Sequence, residues 1–411
     1  MQHRSKVLIV GGGIWGLSTA WHLAKRGVNE IHIVEKNADI AIETTPRAAG
    51  LIGQLSPSRT MCDAVQYALT LLDGFRDETG HNVGLTRTGS LFVALTDRRM
   101  ETYEQQVVRA KANGVAAEFV SHAEMQRLAP AINTSFLKGG YFVQGDGYLD
   151  PKRCALAYAA AAQDLGVQIS LKTRVTKLLI ESGIVQGVQT DQGPLRADLV
   201  IVTAGPWTGQ IATQAGFELP MQTIRHQRAR TGPIDGIPDH HPVVRVTDAS
   251  CYVRPEQGGY LFGFFEPTPT SINLTADFYT DELPVPHQTI SEAQQRLAPV
   301  FPTLGTSPVV ENHQGITTFA PDGRYLIGPV PNVEGLFVAS GCAALGIAGS
   351  AAVGSWLADS VITGKTITAL TEFDPLRFGA KAADRVWVKQ ASSNYYANYY
   401  GLTSGKSDQK M

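Results

Sequence analysis

The sequence predicts an α/β protein in which a doubly wound unit with a parallel sheet is interleaved with an α+β unit built on antiparallel strands. Three observations predict it. At 411 residues the chain is longer than one hydrophobic core usually serves. Apolar strand-like runs alternate with longer helix-like segments at the start, in the middle and near the end, the pattern of an α/β fold. Two stretches, 84–150 and 216–312, interrupt it with aromatic residues, prolines and alternating polar and apolar positions. The resulting division gives 1–83, 151–215 and 313–370 to the first unit, 84–150 and 216–312 to the second, and 371–411 to a C-terminal tail. Disorder is expected only over Ser404 to Met411.

The opening element is the most explicit. Val7-Leu8-Ile9-Val10 runs into Gly11-Gly12-Gly13-Ile14-Trp15-Gly16 and a helical segment ending near Gly27, followed by the strand Ile31-His32-Ile33-Val34 and then Glu35-Lys36. This is the Rossmann strand–turn–helix–strand arrangement. Gly11 permits the tight turn, Gly13 lets the backbone approach a pyrophosphate, and Gly16 lets the helix pack on the strand. Glu35, 19 residues after Gly16, stands where a carboxylate accepts hydrogen bonds from adenosine ribose hydroxyls. A glycine motif alone does not separate NAD from FAD.

Three later segments favour FAD. Thr44-Thr45-Pro46-Arg47-Ala48-Ala49-Gly50-Leu51 is a small-residue loop whose hydroxyls, amides and arginine suit the pyrophosphate and the flavin side of the cofactor. The chain returns to the nucleotide fold at Val175, in the strand pair Leu178–Glu181 and Ile184–Thr190, and at Ala204-Gly205-Pro206-Trp207, a return that an NAD enzyme does not need. Finally, Gly335 to Ser340 reads as a strand leading through Gly341 into a helix start at Leu345-Gly346-Ile347, where a helix N-terminus would stabilise negative charge on a reduced flavin.

Bulk properties exclude more than they assign. A net charge of −2 gives no electrostatic footprint for nucleic acid or an anionic membrane. The four cysteines are scattered and the pair His240-His241 has no companion ligands in sequence, so neither a disulfide framework nor a metal site is expected. Gly335 to Ala358 carries no Lys or Arg, but its Gly, Ala and Ser content suits close packing better than a membrane span. With no room for a leader before Val7, the expected location is cytoplasmic.

From Lys6 to about Leu402 the ordered motifs resemble the D-amino acid oxidase superfamily of FAD enzymes, whose fold is glutathione-reductase-like, and within it the dimethylglycine and sarcosine dehydrogenase branch. The carriers are Arg225-His226-Gln227, Tyr252-Val253-Arg254-Pro255-Glu256, the run from Gly259 to Glu266, Gly315 to Asp322, Asp374 to Phe378, and the aromatic Asn394 to Tyr400. The resemblance implies FAD and oxidation of a small secondary or tertiary amine or amino acid of N-methylglycine type by hydride transfer to flavin. It places His226 and Tyr260 in the active site. Tyr252 and Arg254 share strand parity, and Arg254 is the first choice among Arg228, Arg230, Arg245, Arg254 and Arg324 for holding a substrate carboxylate.

Two departures bear on how the flavin is held. Arg47 stands where the branch commonly carries a flavin-tethering histidine, and Gln314, just before Gly315, stands where monomeric sarcosine oxidases carry a tethering cysteine. Non-covalent FAD is therefore expected. No lysine occurs from Leu178 to Gly364, where related oxidases place the ammonium that assists O2 reduction, so a dehydrogenase is expected over an oxidase. Either arginine or a protonated His226 could replace that charge. The longer members continue into folate-binding domains, which leaves open an electron-transfer partner or a second subunit. Two other readings stay open: an oxidase of D-amino acids or glycine acting on a primary amine, and a non-catalytic or flavin-carrying subunit.

Overall fold

A computed structural model describes residues 6–402; the disorder expected over Ser404 to Met411 lies outside them. Two large sheets organise the chain. The first has six strands in the order Leu326–Pro329, Leu336–Ser340, Leu199–Val202, Val7–Val10, Ile31–Val34 and Gln168–Ser170. All neighbours are parallel except the first pair. Its central strands Val7–Val10, Leu199–Val202 and Leu336–Ser340 are short, apolar and almost wholly buried, as parallel strands between helices must be, while the edge strand Gln168–Ser170 is partly exposed. The helices Ile14–Lys25 and Ser350–Thr363 pack together on it, and Gly354 makes the approach close enough that a Cβ there would lie 2.4 Å from Ser18 Oγ. The hairpin Val175–Glu181 and Ile184–Thr190 sits beside this sheet in a three-stranded sheet of its own.

The second sheet has eight strands in the order Val309–Phe319, Gln222–Thr231, Gly259–Phe264, Cys251–Glu256, Val243–Val246, Ser90–Ala94, Gly139–Val143 and Ala117–Phe119. Only the contact between Ser90–Ala94 and Val243–Val246 is parallel. The division at residue 313 falls inside Val309–Phe319, which pairs with Gln222–Thr231 from Gln222↔Phe319 to Thr231↔Val309. A strand zipped along its length moves with its partner, so residues 313–319 belong to the antiparallel sheet.

Alternation divides this sheet into two faces. Tyr260, Phe262 and Phe264 point into an apolar core with Ala229, Val253, Phe301 and Leu297. On the opposite face, direct cross-strand partners form one row, Tyr141, Phe92, Arg245, Tyr252, Gly263 and Arg228. Gly263 is required there. A Cβ on it would lie 2.0 Å from Tyr252 Oη, so only glycine lets the tyrosine ring lie flat across the neighbouring strand.

The stretch from Gly335 to Ala358 resolves into the strand Leu336–Ser340, a nine-residue turn region and the start of the helix Ser350–Thr363. Among the described residues no helix is long and apolar enough to cross a membrane. The regular helix begins at Ser350, and Leu345 to Ile347 form the turn that leads into it, with the Gly349 amide donating to Leu345 O at 2.9 Å; Ala343 and Ala344, just before, adopt left-handed conformations (φ 48° and 59°). The tail is no loose appendage: the helices Arg385–Ala397 and Tyr399–Leu402 lay Tyr396, Tyr399 and Tyr400 on the same side as Tyr252.

Candidate active site

One continuous cavity runs from the glycine turn of the parallel sheet to the Tyr252 face of the antiparallel sheet. At its first end stand Gly11, Gly13, Ile14, Trp15, Glu35, Lys36, Val175, Ala204, Gly205 and Trp207. Gly16 is not in the wall. A Cβ there would fall 2.1 Å from Gly11 O, so its part is to seat the helix behind the turn. Above Gly13 the space is open, the nearest atom to an added Cβ being Thr45 Oγ1 at 3.6 Å, and this leaves room for a phosphate against the backbone. Glu35 accepts from the Gly12 amide (2.7 Å) and the Asn37 amide (2.9 Å). Burial pushes its carboxyl above the ordinary carboxylate range, against the pull of the Asn37 and Gly12 hydrogen bonds.

The loop from Thr44 to Leu51 forms the middle of the wall. Its conformation is held from outside the cavity: Arg228 donates to the carbonyls of Arg47 (3.2 Å) and Pro46 (3.1 Å), and Arg254 donates to that of Ala49 (3.0 Å). Thr44 Oγ1 and Arg47 Nε are buried there without a partner. Unpaired buried donors beside an open glycine turn are what an FAD pyrophosphate and flavin would satisfy, so the residues present fit FAD. Arg47 Nη1 donates to Gln314 O (3.2 Å), which brings together the two positions that the resemblance aligns with flavin-tethering residues, neither carrying a nucleophile.

Gly315, Leu345, Gly346 and Ile347 complete this wall, together with Thr317, Thr318 and Cys342, which sequence reasoning did not single out. Gly341 lies outside it, packed on Leu326 and Arg324. The amides of Cys342 and Ala344 are taken by the hydroxyls of Thr318 (3.1 Å) and Thr317 (3.2 Å), which braces the turn ahead of Leu345.

Beyond the loop the cavity ends among His226, Arg245, Tyr252, Phe265, Tyr399 and Tyr400. His226 Nδ1 lies 3.1 Å from Tyr396 Oη, and its ring stands 4.8 Å from Phe265. Burial pushes its pKa down to about 4, so the imidazole is neutral at physiological pH and cannot serve as the fixed cation raised as one option for it. Phe265 and Tyr399 stack at 4.1 Å and 8°. Arg245 donates from Nη1 to Tyr400 Oη (3.4 Å), while its Nε is buried and unpartnered. The guanidinium is deep in the molecule, and what accessibility it keeps opens on the cavity. Behind it the carboxylate of Asp146 is fully buried, held through Oδ1 by the Gln54 amide at 3.0 Å.

Two of the four catalytic candidates are therefore displaced. Tyr260 faces the opposite core, its ring 5.2 Å from Phe301, because it alternates in register with Phe262 and Phe264. Arg254 lies on the Tyr252 side, but its guanidinium is spent on Ala49 O, Pro255 O and Glu256. Arg245, the direct cross-strand partner of Tyr252, occupies the place sought for Arg254.

Comparison with known proteins agrees with this geometry. A 4-methylaminobutanoate oxidase (formaldehyde-forming) of Paenarthrobacter nicotinovorans is 30% identical over 399 residues, covering 97% of this chain and 48% of that protein. The mitochondrial dimethylglycine dehydrogenase of Homo sapiens is 28% identical over 407 residues, 96% of this chain and 47% of its own. The chain thus spans about half the length of these relatives. Among solved structures, the L-proline dehydrogenase of P. horikoshii superposes with a TM-score of 0.82 at 24% identity, covering 92% of this chain and 98% of that one. The glycine oxidase of Geobacillus kaustophilus gives 0.79 at 23% identity over 91% and 99%. The family model described as DAO, FAD dependent oxidoreductase, matches residues 6–360: the chain belongs to this family of oxidoreductases, and its cofactor is FAD.

Proposed function

We propose that this protein oxidises the C–N bond of a small secondary or tertiary amino acid, with its amine beside His226 and its carboxylate on Arg245. The observation that carries the reading is the end of the cavity, where a neutral imidazole and a cationic guanidinium face one enclosed aromatic pocket. FAD supplies the two-electron acceptor. The chain's residues supply orientation and desolvation. Neutral, buried His226 puts no charge beside the amine, and the enclosed pocket favours the free amine, whose lone pair drives hydride loss from the adjacent carbon. The iminium so formed is hydrolysed by water to an amine and a carbonyl compound. Arg245 presents a buried cation to the carboxylate, and Tyr252 and Tyr400 border it with hydroxyls. Phe265 and Tyr399 exclude water.

The relatives named for 4-methylaminobutanoate and dimethylglycine support an N-methylated substrate. The test is anaerobic bleaching of the flavin absorbance by sarcosine, dimethylglycine and 4-methylaminobutanoate, set against glycine, D-alanine and trimethylamine. Bleaching by one or more of the first three is expected. Bleaching by glycine or D-alanine alone would make the protein a primary-amine enzyme, and a spectrum unmoved by all six would make it a flavin-carrying subunit. The FAD is held non-covalently, as Arg47 and Gln314 imply. Acid precipitation should leave the yellow colour in solution, and flavin retained in the pellet would overturn this point.

A further inference from the structure

The chain between the strand Gly259–Phe264 and the helix His287–Leu297 leaves the antiparallel sheet and crosses to the other unit. Over 274–282 it is irregular except for the single turn Thr280–Glu282, and it is fastened almost entirely by side chains that come from the dinucleotide end of the cavity. Gln210 Nε2 donates to Leu274 O (2.8 Å), Trp207 Nε1 to Thr275 O (3.2 Å) and Lys36 Nζ to Phe278 O (3.1 Å). Arg174 pairs with Asp277 and donates to Tyr279 Oη (3.2 Å), Glu43 accepts from the Thr280 amide (3.1 Å), and Arg47 pairs with Asp281 at 2.7 Å. Lys36 also lies 3.7 Å from the centre of the Trp207 ring and 4.6 Å from that of Tyr279. All six anchoring residues, Lys36, Glu43, Arg47, Arg174, Trp207 and Gln210, are themselves part of the cavity wall, as is Ala276 of the segment.

We infer that segment 274–282 is a strap that closes over the adenosine half of FAD and gates its release. A segment serving only to connect two elements would spread its contacts along its route; this one fastens to the cavity wall, through Lys36, Glu43, Arg174, Trp207 and Gln210 toward the end marked by Glu35 and through Arg47 at the loop beside Gly315. The fastening has two layers. Beneath, Leu274 and Phe278 rest with Ile272 and Leu283 on Trp207 and Ile316 in a small apolar cluster, which holds the ends. Outside, Asp277 and Asp281 are each 87% exposed while their arginines are 26% and 14% exposed, so both ion pairs open to solvent and yield to salt. Opening the outer layer frees Arg174 and Arg47 together and uncovers the cavity, whereas the apolar cluster keeps the strap tethered for reclosure.

The strap rests on adenosine lying at the Glu35 end, and its test separates the two. FAD release from the holoprotein is followed by the rise of free-flavin fluorescence on dilution, at low and high salt, for the native chain, Glu35→Gln and the double variant Asp277→Asn/Asp281→Asn. The native release should accelerate with salt. The double variant should release FAD about tenfold faster at low salt, rebind it faster as well, and lose most of the salt response. Both aspartates being exposed, its melting temperature should stay near that of the native chain. Low-salt release within twofold of the native rate would overturn the strap, and so would faster release with unchanged rebinding, which marks an ordinary loss of contacts. Glu35→Gln should release FAD faster whether or not the outer layer is intact; if it does not, the adenosine placement fails and the strap with it.

Discussion

At the scale of residues, the proposed substrate end of the cavity turns on two side chains whose environments give them opposite charge states. Arg245 is a buried cation with an unpartnered Nε and only a 3.4 Å hydrogen bond to Tyr400, so it gains most from an incoming carboxylate. Arg245→Met should raise KM for a carboxylated amine by about 10²-fold, the scale of about 2–5 kcal/mol for a buried charge-assisted contact, with kcat changed far less. A kcat loss as large as the KM change would assign it to the chemical step. His226, with a pKa near 4, remains neutral from pH 5 to 9. The profile of kcat/KM should therefore show no histidine inflection between pH 6 and 7, and an inflection there that vanishes in His226→Asn would contradict the assignment. The same depression acts on stability. Between pH 6.5 and about 4 the unfolded chain takes a proton on His226 and on His241 that the folded chain refuses, so stability is full above 6.5 and falls as pH drops through that window. Sequence reasoning found His226 and Tyr252 because motif and parity are local properties. It chose Arg254 over Arg245 because the pairing Arg245↔Tyr252 joins two strands whose register no local signal records.

At the scale of elements, the strand–turn–helix at Val7 to Lys25 was the most legible part, since its glycines answer to steric demands inside one short segment. Gly16→Ala puts a methyl 2.1 Å from Gly11 O and 2.7 Å from Thr203 Oγ1, contacts that backbone cannot relieve without moving the helix off the sheet. That variant should lose FAD and lower the melting temperature together, whereas Gly74→Ala on the helix Arg59–Thr79, where nothing lies within 4 Å of the added carbon, should raise helix stability slightly. If Gly16→Ala retains flavin at native levels, the packing account of this turn is wrong. The turn after Ser340 was the least legible element. Its small residues suit a helix start as well as a turn, and the bracing of the Cys342 and Ala344 amides by Thr318 and Thr317, more than 20 residues earlier in the chain, leaves no local trace. The aromatic tail shows the same limit: its composition was visible, but its role in walling the pocket depends on Tyr399 meeting Phe265, 134 residues away.

At the scale of the whole molecule, the choice of electron acceptor depends on where fixed positive charge sits along the cavity. Among the described residues that wall it, Lys36 is the one lysine, and it lies over Trp207 at the adenosine end. Near Gly315 the cation is Arg47, whose Cβ is 3.2 Å from the position of a Gly315 side chain and whose charge is paired with Asp281. His226 is neutral, and Arg245 is reserved for the substrate in the reading above. Superoxide formation beside a reduced flavin needs an unpaired, compact positive charge to stabilise the first electron transfer; a paired, delocalised guanidinium supplies it poorly. Reoxidation by O2 should therefore be slow, and an artificial dye or an electron-transfer protein should turn the enzyme over faster. Asp281→Asn sharpens the argument, because removing the partner leaves Arg47 unpaired and should quicken reoxidation by a few-fold without altering the rate of flavin reduction. Stopped-flow reoxidation of the reduced protein decides it: a rate with air-level O2 equal to or above turnover with dye would make this chain an oxidase and show that Arg47, even paired, suffices.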